Sequence, residues 1–257
     1  MSIVQDIEAL PLVTSPKWLK CTGHQLCKMA KAGLIWLENN RAHVNALNVF
    51  PVPDGDTGTN MLLTMQSAYS RVEHSKEMHV GKVTAQLAQG ALMGARGNSG
   101  VILSQIWRGL AAGLAQREEF GAADLAHAFQ IASDTAYKGV MRPVEGTILT
   151  VIREGAAEAS DAAGKSDDLR FMLERILERC QQALEKTPDL LPILKQAGVV
   201  DSGGQGLVYI LEGMLRYARG ELDLNGPVVE AESTSPPPLP RLPDIAVPAQ
   251  VLAVPEG

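Results

Sequence analysis

Residues 48–61 read NVFPVPDGDTGTNM, and this stretch sets Asp54 and Asp56 on a glycine-containing loop immediately before a helix. Pro51 and Pro53 keep the approach extended, so the two carboxylates project to the same side. Paired carboxylate oxygens at this spacing suit Mg²⁺, and a helix start supplies unpaired N–H groups for the phosphate oxygens that Mg²⁺ bridges. The stretch therefore indicates a combined metal and phosphate site.

The same residues also fit an Asx-rich turn in which Thr59 or Asn60 caps a helix, so the pattern alone leaves two alternatives. A calcium-binding EF-hand loop is excluded. Counted from Asp54, its twelfth and sixth positions hold Met65 and Thr59 instead of a carboxylate and a glycine. After Thr59, apolar residues recur at three- and four-residue steps, which is typical of an amphipathic helix.

A second glycine-rich joint, GARGNSG at residues 94–100, lies between two helical patterns. Gly97 fits the end of the first helix, and Asn98 or Ser99 fits the N-cap of the next. Glycines at a helix start let backbone N–H groups approach an anion, and Arg96 adds a planar cation. The joint is therefore either a second phosphate-binding loop or a plain connection between two helices.

Four motifs carry a family resemblance. They are residues 48–61 quoted above, GARGNSGVILSQ at 94–105, PVEGTILTVIREGA at 143–156 and AGVVDSGGQGL at 197–207. In this order they resemble the ATP-binding domain of bacterial fatty acid kinase, which belongs to the wider dihydroxyacetone kinase L-subunit (DAK2) family. The resemblance runs from about residue 15 to residue 220.

This resemblance implies an all-α fold, an eight-helix antiparallel barrel that binds ATP or ADP at one end through two Mg²⁺ ions. Asp54 and Asp56 match two of the three aspartates that hold the metals in the L-subunit relatives, and Asn48 stands nearest to the third place. Asp54, Asp56 and Arg96 are the implied catalytic residues. The implied nucleotide-binding positions are Thr59, Asn60, Gly97, Asn98, Ser99, Gly100, Thr147 and Asp201.

The implied function is transfer of the γ-phosphoryl group of ATP to a fatty acid carboxylate held by a separate acyl-carrying protein of the DegV type, which gives an acyl phosphate. A carboxylate is already ionised near pH 7, so the reaction needs positioning and charge neutralisation but no base. The amide at Asn48 favours this branch over phosphorylation of glycerone (dihydroxyacetone). A glycerone kinase-type subunit, and a regulatory module that binds nucleotide without catalysis, remain as alternatives. A homodimer is also left open.

Two other nucleotide-binding motifs are rejected because the patterns around them do not fit. ASDAAGKS at residues 159–166 is a loose P-loop, but a helical pattern precedes it where a P-loop needs a buried strand. We therefore read it as a helix end. The glycine cluster at 203–206 lacks the strand and the downstream acidic residue of a dinucleotide-binding fingerprint, so it is expected to begin the last helix.

Composition restricts the remaining classes. The formal charge of −6 and the lack of a basic cluster argue against nucleic acid as a partner. Cys21, Cys27 and Cys180 lack zinc spacing and are expected to be small core or surface residues. The odd cysteine count and the absence of a signal-peptide pattern favour a cytoplasmic protein. No apolar run in the sequence is long enough for a transmembrane segment.

The domain organisation follows from periodicity and proline content. Residues 15–222 show successive helical stripes and few alternating strand patterns, so they predict one all-α nucleotide-binding domain. Residues 1–14 are read as a short apolar leader. Residues 223–257 carry eight prolines and are read as a proline-rich linker or tail.

Overall fold

The computed structural model describes residues 16–224. The predicted leader and the proline-rich segment beyond residue 224 lie outside the described residues. Within this part the chain is almost entirely helical. In order, its elements are β1 (Cys21–Thr22), α1 (Gly23–Asn39), α2 (Arg41–Ala46), α3 (Thr57–Ser70), α4 (Val80–Gly94), α5 (Gly97–Leu114), β2 (Glu119–Phe120), α6 (Ala122–Lys138), α7 (Ile148–Ala163), α8 (Leu169–Glu185), α9 (Thr187–Leu190), α10 (Pro192–Ala197) and α11 (Ser202–Arg219).

Eight long helices of the described region form a closed ring. In the order α1, α3, α4, α5, α6, α7, α8 and α11, each packs against the next, and α11 also packs against α1. The neighbours run antiparallel, because α3, α5, α7 and α11 all begin at the end of the ring where the other four helices finish. The predicted eight-helix antiparallel barrel is confirmed.

Small residues let the helices of the ring approach closely. A Cβ atom added at Gly113 in α5 would lie 2.6 Å from the Cα atom of Ala128 in α6, and Gly109 faces Ala132 in the same way. Between α1 and α11, Gly213 packs against Ala32. Close backbone approach of this kind explains how a chain with 4% aromatic residues fills its interior with aliphatic side chains.

The ends of several helices are fixed by side-chain caps. Thr22 and Gln25 form a capping box at the start of α1. At the start of α8 Asp168 accepts from the N–H of Arg170, and at the start of α11 Asp201 accepts from the N–H of Gly204. These caps set where the helices begin, and the start of α11 lies beside the candidate site.

The rival motifs are placed as the sequence predicted. Residues 159–166 hold the end of α7, its cap Gly164 and an ion pair of Lys165 with Asp161, so the element that leads directly into them is a helix and not a buried strand. The glycine cluster at 203–206 lies in the first turns of α11. Cys21, Cys27 and Cys180 are buried free thiols. None of the helices in residues 16–224 has the length and apolar character needed to cross a bilayer.

Candidate functional site

Two asparagines clamp the loop that carries the paired carboxylates. Asn48 is buried. Its amide oxygen accepts from the N–H and the hydroxyl of Thr57, and its amide nitrogen donates to the carbonyl of Val52 at 2.7 Å. One helical turn earlier, Asn45 makes the same kind of pair with Thr59, accepting from its N–H at 3.1 Å and donating to its hydroxyl at 3.0 Å. The loop is therefore closed onto the start of α3 from both sides.

Asp54 and Asp56 project from this clamped loop into a cavity of about 190 Å³. Asp54 is exposed and Asp56 is half-buried. Asp56 occupies the N-cap position of α3 without a side-chain cap bond, so its carboxylate is not used to satisfy the helix. Neither carboxylate has an ion pair with another described residue. Both are therefore available to an added cation.

The donors around this cavity fit Mg²⁺. Oxygen atoms come from Asp54, Asp56 and the side chains of Asn60, Asn98 and Ser99, all of which line it. Mg²⁺ is usually held by one or two carboxylates together with substrate phosphates. The described residues contain no group of three or more His, Cys, Asp or Glu side chains placed to bind a metal, so a third ligand with negative charge would have to come from the nucleotide. Asp54 and Asp56 would hold such an ion, which would neutralise phosphate charge.

Asn48 lines the same cavity but is engaged elsewhere. Both hydrogen bonds to its amide oxygen come from Thr57, so the arrangement gives Asn48 a structural role in closing the loop. Its predicted role as a metal ligand stays a prediction. A metal ion bound to this oxygen would have to compete with the two hydrogen bonds from Thr57.

The glycine-rich joint contributes the start of α5 to the cavity. The expected boundaries were wrong by two to three residues. Helix α4 ends at Gly94, and α5 begins at Gly97 with Arg96 at its N-cap, which places Asn98 and Ser99 inside the first turn. Gly97, Asn98 and Ser99 line the cavity, and first-turn N–H groups have no partner within their own helix. This helix start is therefore suited to bind phosphate oxygens.

Gly97 and Gly100 differ in what surrounds them. Gly97 has a positive φ of 56°, and a Cβ atom there would lie 2.5 Å from the Asn60 amide nitrogen. The N–H of Gly100 already donates to the Arg96 carbonyl, and a Cβ atom there would run into the Thr64 hydroxyl. A side chain at Gly100 would therefore meet α3.

A second, larger cavity of about 280 Å³ adjoins the first. The two share Phe50, Pro51, Asn98 and Ser99 in their walls. The larger cavity is mainly apolar, and the remaining residues that line it come from α5, the α6–α7 connection and the starts of α7 and α11: Ile102, Val140, Arg142, Val144, Thr147, Ile148, Leu149, Asp201, Ser202 and Gly203. An apolar cavity beside a phosphate-binding helix start has the form of a nucleoside pocket.

Thr147 and Asp201 hold the two helix starts at the base of the larger cavity. Thr147 is the N-cap of α7 and donates to the Val144 carbonyl at 2.7 Å. Asp201 accepts from the N–H of Gly204 at 2.7 Å and from the backbone of Ile148, so its carboxylate joins the starts of α11 and α7. Burial raises the pKa of Asp201 to about 6, against the opposing effect of these two hydrogen bonds.

Three of the predicted site residues, Thr59, Arg96 and Gly100, line neither cavity. Thr59 faces Asn45 on α2 and does not line either cavity. Arg96 is exposed at the rim, where its guanidinium donates to the carbonyl of Ala95. The structure brings the other predicted positions to the same end of the barrel.

Sequence reasoning missed Arg142 and Ser202. Arg142 lines the larger cavity. Ser202 donates to the Thr57 hydroxyl at 3.2 Å, which connects the start of α11 to the start of α3. Residues 139–147 carry no periodic pattern that would point inward, and the only available signal was the nearness of Arg142 to the motif that begins at Pro143.

Relatives among curated proteins cover the barrel and extend well beyond it. Protein YloV of Bacillus subtilis (strain 168) is 49% identical over 199 residues, which are 77% of this chain and 36% of that protein. An uncharacterised protein of Staphylococcus saprophyticus is 46% identical over 215 residues, 83% of this chain and 39% of that protein. The chain thus spans little more than a third of the length of these relatives.

Among solved structures, the dihydroxyacetone kinase of C. freundii has the same fold. The native form matches with a TM-score of 0.57 at 15% identity, over 84% of this chain and 38% of that one. The form in complex with AMP-PNP and Mg²⁺ also gives a TM-score of 0.57, at 17% identity over 84% and 37% of the two chains. The DAK2 domain family itself matches residues 51–216, a range that contains the loop with Asp54 and Asp56, the joint before α5 and the helix starts around Asp201. With these motifs assembled at one end of an eight-helix barrel, the chain belongs to the DAK2 domain family.

Proposed function

We propose that this chain binds ATP with Mg²⁺ and transfers the γ-phosphoryl group to a fatty acid carboxylate held by a separate acyl-binding protein of the DegV type. The observation that carries the proposal is the cavity in which Asp54 and Asp56 face the start of α5. A pair of free carboxylates would hold Mg²⁺ there, and the first-turn N–H groups of α5 would bind phosphate oxygens. The larger cavity would take the nucleoside.

Four helix starts add to the positive potential at this end. Helices α3, α5, α7 and α11 all begin beside the two cavities, so the positive ends of four helix dipoles converge on them. At α3, Asn48 and Asn45 already accept from the N–H groups of Thr57 and Thr59, which makes α5 the better phosphate site of the two. Phosphoryl transfer needs little beyond this combination of positioning and charge stabilisation.

The side chains around the cavities favour a carboxylate acceptor. The described residues that line them include no histidine, lysine, glutamate, cysteine or tyrosine. A hydroxyl acceptor has to lose a proton during transfer, whereas a fatty acid carboxylate is ionised at neutral pH and needs no base. Of the aspartates in this lining, Asp54 and Asp56 are assigned to the metal, and the carboxylate of Asp201 already accepts from the backbone of Gly204 and Ile148.

Transfer of labelled phosphate from ATP tests the proposal. We expect acyl phosphate to form only with Mg²⁺ and a lipid-loaded acyl-binding protein, and we expect free glycerone to stay unphosphorylated. Rapid labelling of glycerone alone would place the chain with glycerone kinases. Tight Mg²⁺–ADP binding without transfer to either acceptor would instead identify a regulatory module.

A further inference from the structure

The connection between α6 and α7, residues 139–147, forms one wall of the larger cavity. Val140, Arg142, Val144 and Thr147 line this cavity. Alternate residues from 140 to 144 thus face inward, as expected for an extended segment. The residues between them face outward, and Met141 is fully exposed.

On the outer side of this wall, Glu145 is the centre of a hydrogen-bond network. Its carboxylate accepts from the Tyr137 hydroxyl at 2.9 Å, from the Thr150 hydroxyl at 2.6 Å and from the Arg153 guanidinium at 2.6 Å. Arg153 also donates to the Tyr137 hydroxyl at 3.1 Å, and Thr150 accepts from the N–H of Gly146 at 2.8 Å. Glu145 therefore ties the last turn of α6 to the first turns of α7 across the connection.

The network keeps Glu145 ionised. Partial burial raises the pKa of its carboxyl, but the hydrogen bonds from Thr150 and Tyr137 and the charge of Arg153 outweigh burial, so the net pKa is lowered. The side chain is nevertheless 46% exposed, and exposed ion pairs contribute little to the free energy of unfolding. The effect of Glu145 is expected in the placement of the segment more than in global stability.

What this segment presents to the cavity is a cation. Arg142 makes no hydrogen bond or ion pair with any other residue of the described chain and lines the cavity together with Asn98, Ser99 and Asp201. Within the described lining of the two cavities it is the one basic side chain. A guanidinium at this position can form charge-assisted hydrogen bonds with an anionic ligand.

We propose that Glu145 is a positioning residue, which holds residues 139–147 so that Arg142 is directed at the bound nucleotide. The inference rests on the proposed function, because it requires a nucleotide in the larger cavity. A cation on a tethered segment binds with less ordering cost than one on a loose segment, since the ordering is already done in the free protein. Loss of the tether therefore weakens the contact that Arg142 makes, without removing Arg142.

A double-mutant cycle tests this coupling. The variants are Arg142→Ala, Glu145→Gln and the pair, and calorimetry gives the dissociation constant of ADP with saturating Mg²⁺. We expect about tenfold weaker binding for Arg142→Ala, a several-fold loss for Glu145→Gln, and no further loss in the double variant, because Glu145 acts through Arg142. Multiplicative losses in the double variant would overturn the proposal.

Glu158→Gln is the matched control. Glu158 also lies on the α7 side of the molecule and accepts from an arginine, Arg175 at 2.8 Å, but this pair joins α7 to α8 away from both cavities. Hydrogen exchange of the free protein supplies a readout that needs no nucleotide. Exchange of the N–H groups in residues 139–147 should become about tenfold faster in Glu145→Gln and stay unchanged in Glu158→Gln.

The outcomes separate the two proposals. If the unmodified chain bound no nucleotide, the proposed function would fail, and with it the role of Arg142. If it bound nucleotide but Glu145→Gln matched Glu158→Gln in both affinity and exchange, the proposed function would stand and the positioning role of Glu145 would be wrong.

Discussion

At the scale of single residues, the candidate site is defined by which polar side chains already form hydrogen bonds within the protein and which are free to bind a ligand. The side-chain amides of Asn45 and Asn48 already form hydrogen bonds, which close the loop onto α3. Asp54 and Asp56 lie on the same loop without an ion pair to any described residue. A rigid loop with two available carboxylates is suited to bind a cation without rearrangement.

Removal of either carboxylate should abolish metal-dependent binding. We expect Asp54→Asn and Asp56→Asn each to lower turnover by at least ~10²-fold, because each removes a charged oxygen where phosphate charge must be neutralised. Titration of ADP with and without Mg²⁺ measures the loss of binding, and transfer of labelled phosphate measures the loss of turnover. Asp134→Asn, on the exposed face of α6, is the control and should behave like the unmodified chain. Equal ADP affinity in EDTA and in Mg²⁺ would contradict the metal role.

Asn48→Asp distinguishes a loop clamp from a metal ligand. An aspartate cannot donate to the Val52 carbonyl, so the clamp predicts a loss of about 1–3 kcal/mol in the free energy of unfolding and no gain in Mg²⁺ affinity. Thermal melts and Mg²⁺ titrations in the presence of ADP give the two quantities. If Mg²⁺ bound more tightly to the variant, position 48 would lie close enough to the ion to act on it, which the loop clamp alone does not predict.

Asp201 should make stability depend on pH in the direction opposite to that of ordinary carboxylates. Its pKa is about 6 in the folded protein against an ordinary value of 3.8, so the folded state binds the proton more tightly. The resulting stabilisation is fully present below pH 3.8 and is lost as the pH rises through 6, a change of order 2–3 kcal/mol.

Urea unfolding of the unmodified chain and of Asp201→Asn at pH 4.5 and pH 7 measures this effect. The difference in unfolding free energy between the two proteins should move in favour of the variant as the pH rises. A difference that stayed constant would show that Asp201 does not titrate in this range.

At the scale of the elements, close backbone contacts decide how the ring packs. Gly109 and Gly113 lie on the face of α5 that touches α6. Alanine is a better helix former than glycine by about 1 kcal/mol, so substitution in an exposed helix would stabilise the protein. At these two positions the added methyl group meets backbone atoms, so the cost of overpacking is expected to exceed the gain in helix propensity.

Gly109→Ala should therefore lower the melting temperature, whereas Gly164→Ala should leave it unchanged or slightly raised. Gly164 caps α7 with φ of −73°, and a Cβ atom there would lie 3.4 Å from the nearest atom outside its immediate neighbours, the Asp161 carbonyl oxygen. Overpacking costs typically 1–3 kcal/mol, which corresponds to a fall of roughly 3–10 °C for a domain of this size. Equal melting temperatures for the two variants would show that α5 and α6 can move apart.

Local patterns in the sequence predicted the long helices but not the contacts between them. Three- and four-residue apolar spacing located α3, α4 and α5, because an amphipathic helix must bury one face. The clamp of Asn45 on Thr59 joins residues fourteen positions apart, and its geometry depends on how α2 packs beside α3. The same limit applies to Thr59, which faces Asn45, and to Gly100, which lies against Thr64, since motif letters do not show what a residue faces.

At the scale of the whole molecule, the barrel is complete within the described residues. α11 packs against both α8 and α1, so the ring closes before residue 220. Every predicted site residue lies between Asn48 and Asp201, within the part of the sequence that forms the ring. Folding and nucleotide binding are therefore expected to be properties of this unit alone.

A protein limited to residues 16–224 should keep the melting temperature and the Mg²⁺–ADP affinity of the full chain. Phosphate transfer is a different matter, because the curated relatives are more than twice as long as the matched region. A docking surface for the acyl-binding protein in their remaining length would make the barrel alone a good nucleotide binder and a slow kinase. We expect addition of that remaining part of a relative, in trans or in one polypeptide, to raise the rate of acyl phosphate formation without changing ADP affinity. The same rate with and without it would mean that the barrel itself binds the acyl-carrying partner, and a lower melting temperature for residues 16–224 would mean that the terminal segments contribute to the fold.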